Sequence, residues 1–369
     1  MINRRDAIRW TLGTTAAVAI VPASSHASKI GDKNTLETRF SRQFKLKHPF
    51  VCAGMAFVCD TSPLAISVAL AGGVGCLAGS LLSPSTLAKR IEEIQAATHG
   101  LFHVNFLKPF PHQEQLEVCI AKRVPIVSFH WGFPDASTVS RLQASGISVW
   151  AQVGSVDAAK EVNDKGANCI VVQGTEAGGH NYGVLPLASS MSLVRAALGD
   201  EVLLLGAGGI SDGRTAAAAF AAGADGIWVG TRMVATTEAN AHDEYKRRLL
   251  AAGSQDTVLT HVYGPEKPAF NPIRVIQNAV TEEWDSKLHE LPMDRTDLPA
   301  IGRTVFAEQE KDVKPFDSFA PVPETVGDFD QMPIMCGQGV GLIKKIGPAG
   351  DVLATLMNDA ALSLRSALD

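Results

Sequence analysis

Between residues 50 and 252 the sequence alternates eight times between a short apolar run and a longer segment with helical character. The apolar runs are rich in β-branched residues, as is typical of strands that are buried on both faces of a parallel sheet. The intervening segments begin at capping residues such as Thr61 and Ser83 and end at glycines such as Gly166 and Gly223. The eight predicted strands are Phe50–Met55, Val74–Ala78, Phe102–Leu107, Val124–Trp131, Ser148–Val153, Cys169–Val172, Glu201–Gly206 and Gly226–Thr231.

Eight strand–helix units joined by short loops predict an α/β fold, a (β/α)8 or TIM barrel that spans residues 36–249. A doubly wound sheet is the alternative, but it would carry a Gly-x-Gly-x-x-Gly turn directly after the first strand. The first strand here runs into Ala-Gly-Met-Ala-Phe at residues 53–57, so that turn is missing. The barrel is therefore the favoured architecture.

The regular alternation ends at about residue 250, where prolines become frequent. We interpret residues 250–331 as a small, mainly helical cap or insertion domain, with a helix over Val275–Trp284. Residues 332–369 are expected to return to the barrel through a final helix near Asp351–Leu368. The sequence leaves open whether the chain forms a homodimer through apolar segments of the cap.

Composition narrows the classes of function. The net charge of −5 gives no basic surface, which argues against nucleic acid as a partner. The six cysteines form no Cys-x-x-Cys pair and no cluster with histidine, so we expect small core residues and no metal site. With 46% hydrophobic and 19% charged residues, the composition is that of a globular protein that buries a sizeable core.

The amino terminus predicts an export signal over residues 1–27. Arg4 and Arg5 form a twin-arginine pair, an apolar run follows over Thr11–Val21, and Pro22–Ala27 offers small residues for cleavage. That run is too short for a stable membrane span. We therefore expect a periplasmic protein; the alternative is a cytoplasmic protein with an uncleaved basic tail.

In a barrel the reactive face lies at the carboxyl ends of the strands, and the loops after the last two strands commonly hold a phosphate. Those loops are Gly208–Asp212 and Gly230–Thr231. Bare backbone N–H groups, the start of the following helix and the Thr231 hydroxyl would all favour an anion. The alternative is that the glycines only make tight turns.

The loop Gln173–Gly183 follows the buried run Cys169–Val172 and carries the main catalytic candidate. Gly178 and Gly179 allow the backbone to approach a flat or bulky ligand closely. His180 is the side chain in this loop that exchanges a proton near neutral pH, so we predict a general base. Its alternative is a structural histidine at a strand end.

Amides and glycines with few charges surround the same predicted face. Such a set suits a flat heteroaromatic ring with polar edges, for example a flavin, although each amide alone could satisfy a core hydrogen bond instead. His130 is a second candidate near the substrate, and its alternative is a buried histidine at a strand end. The residues in this set are Gly54, Met55, Ala56, Asn105, His130, Gln152, Gln173 and His180.

These motifs together resemble the nitronate monooxygenase family, formerly called 2-nitropropane dioxygenases, over nearly the whole chain after about Thr35. The segments that carry the resemblance are His48-Pro49, Gly54-Met55, Ala71–Gly75, Val104-Asn105, Gln173–His180, Gly208–Arg214, Gly223–Arg232 and Gly337–Gly341. The resemblance implies bound FMN, with His180 as the catalytic histidine and Asn105 near the ring. The other cofactor contacts that it implies are Gly54, Met55, Ala56, Gln152, Gln173, Ala177, Gly178, Ala207, Gly208, Gly209, Gly230 and Thr231.

The resemblance further implies oxidation of alkyl nitronates with O2 to a carbonyl compound and nitrite. His180 would remove the proton next to a nitro group. Two alternatives stay open: an FMN-dependent reductase that consumes NAD(P)H, of the enoyl or quinone reductase type, and an exported flavin-binding redox protein. A nucleotide dehydrogenase of the IMP type would need a cysteine loop after the sixth strand, where this chain has Glu176–His180.

Overall fold

The computed structural model describes residues 29–30, 36–110, 112–306 and 309–367. Within these residues eight parallel strands alternate with helices around a barrel, and from the second strand to the eighth each is hydrogen-bonded to the next along the chain. The predicted (β/α)8 barrel is confirmed. The barrel strands are Phe50–Cys52, Gly75–Ala78, Phe102–Leu107, Ile126–His130, Ser148–Val153, Cys169–Gln173, Leu204–Ala207 and Gly226–Val229.

The barrel closes where its last and second strands meet the first. The last strand pairs with the first in parallel, with Ile227 opposite Phe50. Val74, just before the second strand, donates its N–H to the Phe50 carbonyl and accepts the Cys52 N–H, both at 2.9 Å. A short seam thus completes the ring, so the carboxyl ends of all eight strands surround one opening.

The outer helices begin where the sequence places capping side chains. Asp135 and Ser155, for example, accept backbone N–H groups of the first turn of their helices. Helices also follow the last strand, one short and one longer. The helices over the barrel region are Ser62–Leu70, Pro84–Ala97, Gln113–Ala121, Ala136–Ala144, Val156–Asp164, Leu187–Leu198, Gly213–Ala221, Thr231–Val234 and Asp243–Ala251.

The carboxyl-terminal helix, Ala349–Ser366, takes the place of an eighth outer helix. It packs between Gly213–Ala221 and Ser62–Leu70, the helices after the seventh and first strands. The approach is close, since a Cβ atom on Gly213 would lie 2.3 Å from the Cβ of Asp359. The four-residue helix Thr231–Val234 is too short to cover the barrel itself, so the chain end does so.

The amino-terminal end of the barrel is filled by aromatic side chains. Residues Lys29–Ile30 pair with Leu36–Glu37, and the helix Arg39–Gln43 follows. Phe40 of that helix is fully buried and meets Trp150 edge-on, with ring centroids 5.6 Å apart. This end is therefore packed core, which leaves the carboxyl ends of the strands for a ligand.

The insertion over residues 250–331 differs from the prediction of a mainly helical segment. Among its described residues, one α-helix of six residues, Ala279–Trp284, stands beside several strands. The predicted helix over Val275–Trp284 is wrong at its start, because Val275 and Ile276 belong to a strand that pairs with Gly179–His180 and Thr257–Thr260. The strands of the insertion are Thr257–Thr260, Ile273–Ile276, Gly302–Phe306, Gln309–Val313 and Val326–Gly327, and its 3₁₀ turns are Ser254–Asp256, Pro268–Phe270 and Leu288–Glu290.

The predicted export signal, residues 1–27, lies outside the described residues, and the periplasmic location stays a prediction. In the part of the chain that is described, none of the helices has both the length and the hydropathy that a bilayer crossing requires. A further 3₁₀ segment, Gln338–Leu342, lies between the insertion and the last helix.

Candidate active site

A cavity of about 310 Å³ opens at the carboxyl ends of the barrel strands, between the strand-end loops and the insertion. Its wall brings together every residue that the sequence singled out for catalysis or cofactor binding, except Asn105. These wall residues are Gly54, Met55, Ala56, His130, Gln152, Gln173, Ala177, Gly178, His180, Ala207, Gly208, Gly209, Gly230 and Thr231.

Asn105 lies behind the wall. Its Nδ2 donates to Ser128 Oγ at 2.9 Å, and the side chain is buried. It packs directly against Gly54, where an added Cβ atom would lie 2.3 Å from Asn105 Cγ. In this structure Asn105 therefore supports the first strand-end loop, and glycine at residue 54 is what makes room for it.

The loops after the seventh and eighth strands form an open backbone cradle. Gly208 and Gly209 have φ angles of 112° and 70°, in the left-handed region that favours glycine. The helix that follows is already capped, because Asp212 accepts the Thr215 N–H at 2.8 Å. The anion expected at this helix end is therefore the protein's own Asp212 carboxylate.

The segment after the insertion joins the loops that follow the sixth and eighth strands. The Gly337 N–H donates to Thr231 Oγ1 at 2.9 Å, which leaves the Thr231 hydroxyl proton to donate elsewhere. The Gln338 N–H donates to the Glu176 carbonyl at 2.9 Å. Gly178 lies against this segment so closely that a Cβ atom there would be 2.3 Å from Gly337 N. In the sequence, the glycines after residue 336 were indicated only by the family resemblance.

His180 is held by the insertion on both sides of its ring. Its Nδ1 lies 2.6 Å from the Phe270 carbonyl oxygen, which can only accept, so Nδ1 carries the proton. Nε2 then has the lone pair and lies 3.3 Å from Ser318 Oγ in the cavity wall. Desolvation lowers the pKa of His180 to about 4, although the hydrogen bond to the Phe270 carbonyl acts to raise it. The ring is therefore neutral at neutral pH, with Nε2 as a proton acceptor.

His130 and Trp131 form an aromatic wall beside His180. Their rings stack at 4.4 Å and 7°, and Trp131 meets the His180 ring edge-on at 4.5 Å. Burial, followed by the neighbouring His180, lowers the pKa of His130 to about 3, so it is neutral as well. Trp131 has a φ of 61°, an uncommon conformation for a bulky residue and one that often marks functional sites. The sequence indicated Trp131 only as the end of a strand.

Gln173 uses its amide to hold the loop that carries His180. Its Nε2 donates to the His180 carbonyl at 3.2 Å, and its Oε1 accepts the Tyr182 N–H at 3.4 Å. The Tyr182 hydroxyl in turn donates to the Gln152 carbonyl at 2.5 Å. Gln173 lines the cavity, but its amide forms hydrogen bonds within the protein. This is the alternative role that the sequence left open for each amide of the predicted site.

The insertion adds residues that no local sequence signal indicated. Phe270 and Ser318 are 90 and 138 residues from His180 along the chain. Lys267 and Lys311, both exposed, also line the cavity and lie over the rings of Phe110 and Phe306. Their positions depend on how the insertion folds back over the barrel. The hydrophobic periodicity of a local segment contains no information about such distant contacts.

We predict that the protein loses stability in mild acid because three of its histidines are buried, His48, His103 and His130. Burial is the main cause that lowers their pKa values from 6.5 to about 4, 4 and 3. Below pH 6.5 the unfolded chain binds protons that the folded protein does not, so falling pH stabilises the unfolded state until these histidines titrate in the folded protein. We expect the free energy of unfolding to fall by about 1.4 kcal/mol per histidine for each pH unit once unfolded-state protonation is complete.

Urea unfolding measured at intervals between about pH 7 and pH 5 tests this, because most carboxylates titrate below that window. Burial raises the pKa of Asp60 to about 7, so its protonation in the folded protein offsets the contribution of one histidine over the window. A folded protein whose unfolding midpoint stays constant over the window would contradict it. Replacing His103 with glutamine should make the profile shallower, since one of the histidines that protonate only in the unfolded chain over this window is then missing.

A parallel barrel with a glycine-lined cavity at its carboxyl end and a neutral histidine in the wall defines an enzyme of the (β/α)8 class. The chain belongs to the nitronate monooxygenase family, whose family model matches residues 108–359. It is therefore an oxidoreductase, and the flavin dependence expected from the sequence agrees with this family. Its substrates are small molecules.

Relatives of known name span more than one activity. The chain is 33% identical over 252 residues, 68% of this chain and 69% of the relative, to (3aS,4S,5R,7aS)-5-hydroxy-7a-methyl-1-oxo-octahydro-1H-indene-4-carboxyl-CoA dehydrogenase of Mycobacterium tuberculosis. It is 28% identical over 306 residues, 70% of this chain and 84% of the relative, to a probable nitronate monooxygenase of Staphylococcus saprophyticus.

Two solved structures are similar over almost their full length. FabK from Thermotoga maritima has a TM-score of 0.73 and 28% identity, covering 90% of this chain and 99% of that chain. Nitroalkane oxidase from Streptomyces ansochromogenes has a TM-score of 0.71 and 26% identity, covering 88% and 98%. The similarity therefore includes the insertion as well as the barrel.

Proposed function

We propose that this protein binds FMN in the cavity and oxidises alkyl nitronates with O2 to a carbonyl compound and nitrite. The observation that carries the proposal is the state of His180, a neutral imidazole whose Nε2 lone pair lies in the cavity wall. The family, the probable nitronate monooxygenase of S. saprophyticus and the nitroalkane oxidase of S. ansochromogenes support the same reaction class.

The cavity fits a flavin mononucleotide in its backbone geometry. An added Cβ atom on Gly230 would meet nothing closer than Ala53 Cβ at 3.6 Å, so this backbone is open towards the cavity. Gly208, Gly209, Gly230 and the Thr231 hydroxyl would hold the phosphate, at the position that barrels use for one. Gly54, Met55 and Ala56 would lie along the ring, together with Gln152. When bound, the flavin supplies the electron-transfer chemistry between substrate and O2.

His180 would act as a base towards neutral nitroalkanes. The proton next to the nitro group passes to Nε2, the C–H electron pair stays on the substrate, and a nitronate forms. The Phe270 carbonyl, 2.6 Å from Nδ1, stabilises the positive imidazolium that results. A nitronate anion beside the ring favours the same charged form, which offsets the desolvation that lowers the pKa of His180.

The test begins with the visible spectrum of the purified protein. We expect flavin absorption, release of FMN on denaturation, and O2 consumption with nitrite formation when propionate 3-nitronate is added. Protein that carries flavin but produces no nitrite from a nitronate or a nitroalkane would reject the proposed reaction. Protein that neither contains nor acquires flavin would reject the cofactor as well.

An NAD(P)H-consuming reductase is the second candidate. Lys267 and Lys311 line the cavity as exposed cations, and the phosphates of a dinucleotide would suit them. The similarity to FabK and to the M. tuberculosis dehydrogenase is compatible with this alternative. Anaerobic addition of NADH or NADPH decides it, because only a reductase bleaches the flavin rapidly without a nitro compound.

A further inference from the structure

The insertion supplies both hydrogen-bond partners of the His180 ring, and one of them is a side chain. Phe270 contributes a backbone carbonyl, whereas Ser318 contributes a hydroxyl in the cavity wall. We propose that Ser318 is a positioning residue that orients Nε2 of His180 and stabilises the proton after its transfer. This inference rests on the proposed function, since it concerns the removal of a proton from a neutral nitroalkane.

The direction of the bond between Ser318 and His180 follows from the other side of the ring. Because Nδ1 donates to the Phe270 carbonyl, Nε2 has no proton in the neutral ring and can only accept. The Ser318 hydroxyl therefore donates to Nε2 across 3.3 Å. This long bond leaves the lone pair oriented into the cavity and weakly engaged, so that a substrate C–H can replace the hydroxyl.

Ser318 lies on a loop that its neighbours hold in place. Asp317 accepts the Lys314 N–H at 2.8 Å and pairs with Arg295 at 2.9 Å. The Phe316 carbonyl accepts the Gly264 N–H at 2.8 Å, and Phe319 on the other side is buried. An added Cβ atom on Gly264 would lie 3.2 Å from Ser318 Cβ, so the two segments are in contact. The position of the hydroxyl thus depends on fixed backbone.

A hydroxyl suits this position because it can donate and accept. Before the reaction it donates to the Nε2 lone pair. When the substrate C–H bond breaks, the proton forms a new Nε2–H bond and its electron pair stays on the nitronate. The hydroxyl then rotates and accepts from Nε2–H, which gives the buried imidazolium a second hydrogen bond beside the one to Phe270. Hydrogen bonds to a charged group are stronger than those between neutral groups.

The test compares a neutral nitroalkane, nitroethane, with its preformed nitronate in the flavin-loaded Ser318→Ala variant. The nitronate needs no base, so its kcat/KM should stay at the wild-type level. With nitroethane, kcat/KM should fall roughly 10- to 100-fold, the range expected for one lost hydrogen bond to a charged group. Ser286→Ala, an exposed serine elsewhere in the insertion, is the matched control and should change neither substrate.

An equal fall with both substrates would overturn the inference, because it would indicate general damage to the site. No fall with nitroethane would overturn it too. If the wild-type protein forms nitrite from neither compound, the proposed function fails instead. The nitrogen NMR resonances of His180 then decide the role of Ser318: we expect Nε2 to shift in Ser318→Ala while Nδ1 stays bonded to Phe270. An unchanged Nε2 resonance would overturn the contact itself.

Discussion

Replacing His180 with asparagine is expected to lower kcat/KM for nitroethane by roughly 10²–10⁴-fold, the usual contribution of a positioned base. The asparagine amide can still donate to the Phe270 carbonyl, so the loop should keep its conformation. It offers no lone pair basic enough to take the substrate proton. Steady-state O2 consumption with nitroethane, together with the flavin content of the variant, measures the effect.

The control is His289→Asn, which alters an exposed histidine of the insertion. It should leave both flavin content and turnover unchanged. In His180→Asn the preformed nitronate should lose much less activity than nitroethane, since its proton has already been removed. Wild-type turnover of nitroethane in a His180→Asn protein that still carries flavin would exclude His180 as the base.

Replacing Gly178 with alanine is expected to open the cradle and weaken flavin binding. The new Cβ atom would lie 2.3 Å from both the Cys336 carbonyl carbon and Gly337 N. These are backbone atoms, so relief requires the segment to move and the bond from Gly337 N–H to Thr231 Oγ1 to lengthen. Overpacking of this kind typically costs about 1–3 kcal/mol, which corresponds to a roughly 5- to 140-fold increase in Kd if it opposes binding.

Fluorescence titration of the flavin-free protein with FMN measures the affinity, and urea unfolding measures the stability. Gly347→Ala is the matched control, because an added Cβ atom at Gly347 has no atom within 4 Å. The control should bind FMN as the wild type does. If Gly178→Ala also binds FMN with unchanged Kd, the contact between Gly178 and the Cys336–Gly337 backbone has no part in holding the cofactor.

Local sequence predicted the barrel well because every unit carries its own signals. The third and fifth strands, Phe102–Leu107 and Ser148–Val153, have the same bounds in the structure as in the prediction. A run of β-branched residues forms a strand wherever both faces of the sheet are buried, as they are in a parallel barrel under the outer helices and in the barrel interior. Asp135 likewise starts its helix through its own side chain, which accepts the Thr138 N–H.

The insertion was predicted less well because its strands depend on distant partners. Ile273–Ile276 forms a strand by pairing with Gly179–His180 from the barrel and with Thr257–Thr260. Within the segment Val275–Trp284 alone, helical periodicity continues into the real helix at Ala279 and hides the boundary. Pairing between segments far apart in the chain outweighs such local preference.

By itself, then, the sequence determined that eight strands form one barrel and that His180 and the glycine loops lie at its carboxyl end. Those properties follow from short-range patterns and from the geometry common to all such barrels. Only the tertiary structure decided that His180 is neutral with its proton on Nδ1. The same is true of the hydrogen bond from the Gln173 amide to the His180 carbonyl, and of the position of Asn105 behind Gly54. The physical reason is that hydrogen-bond partners and desolvation come from whatever segment folds against a side chain, and for His180 that segment is the distant insertion.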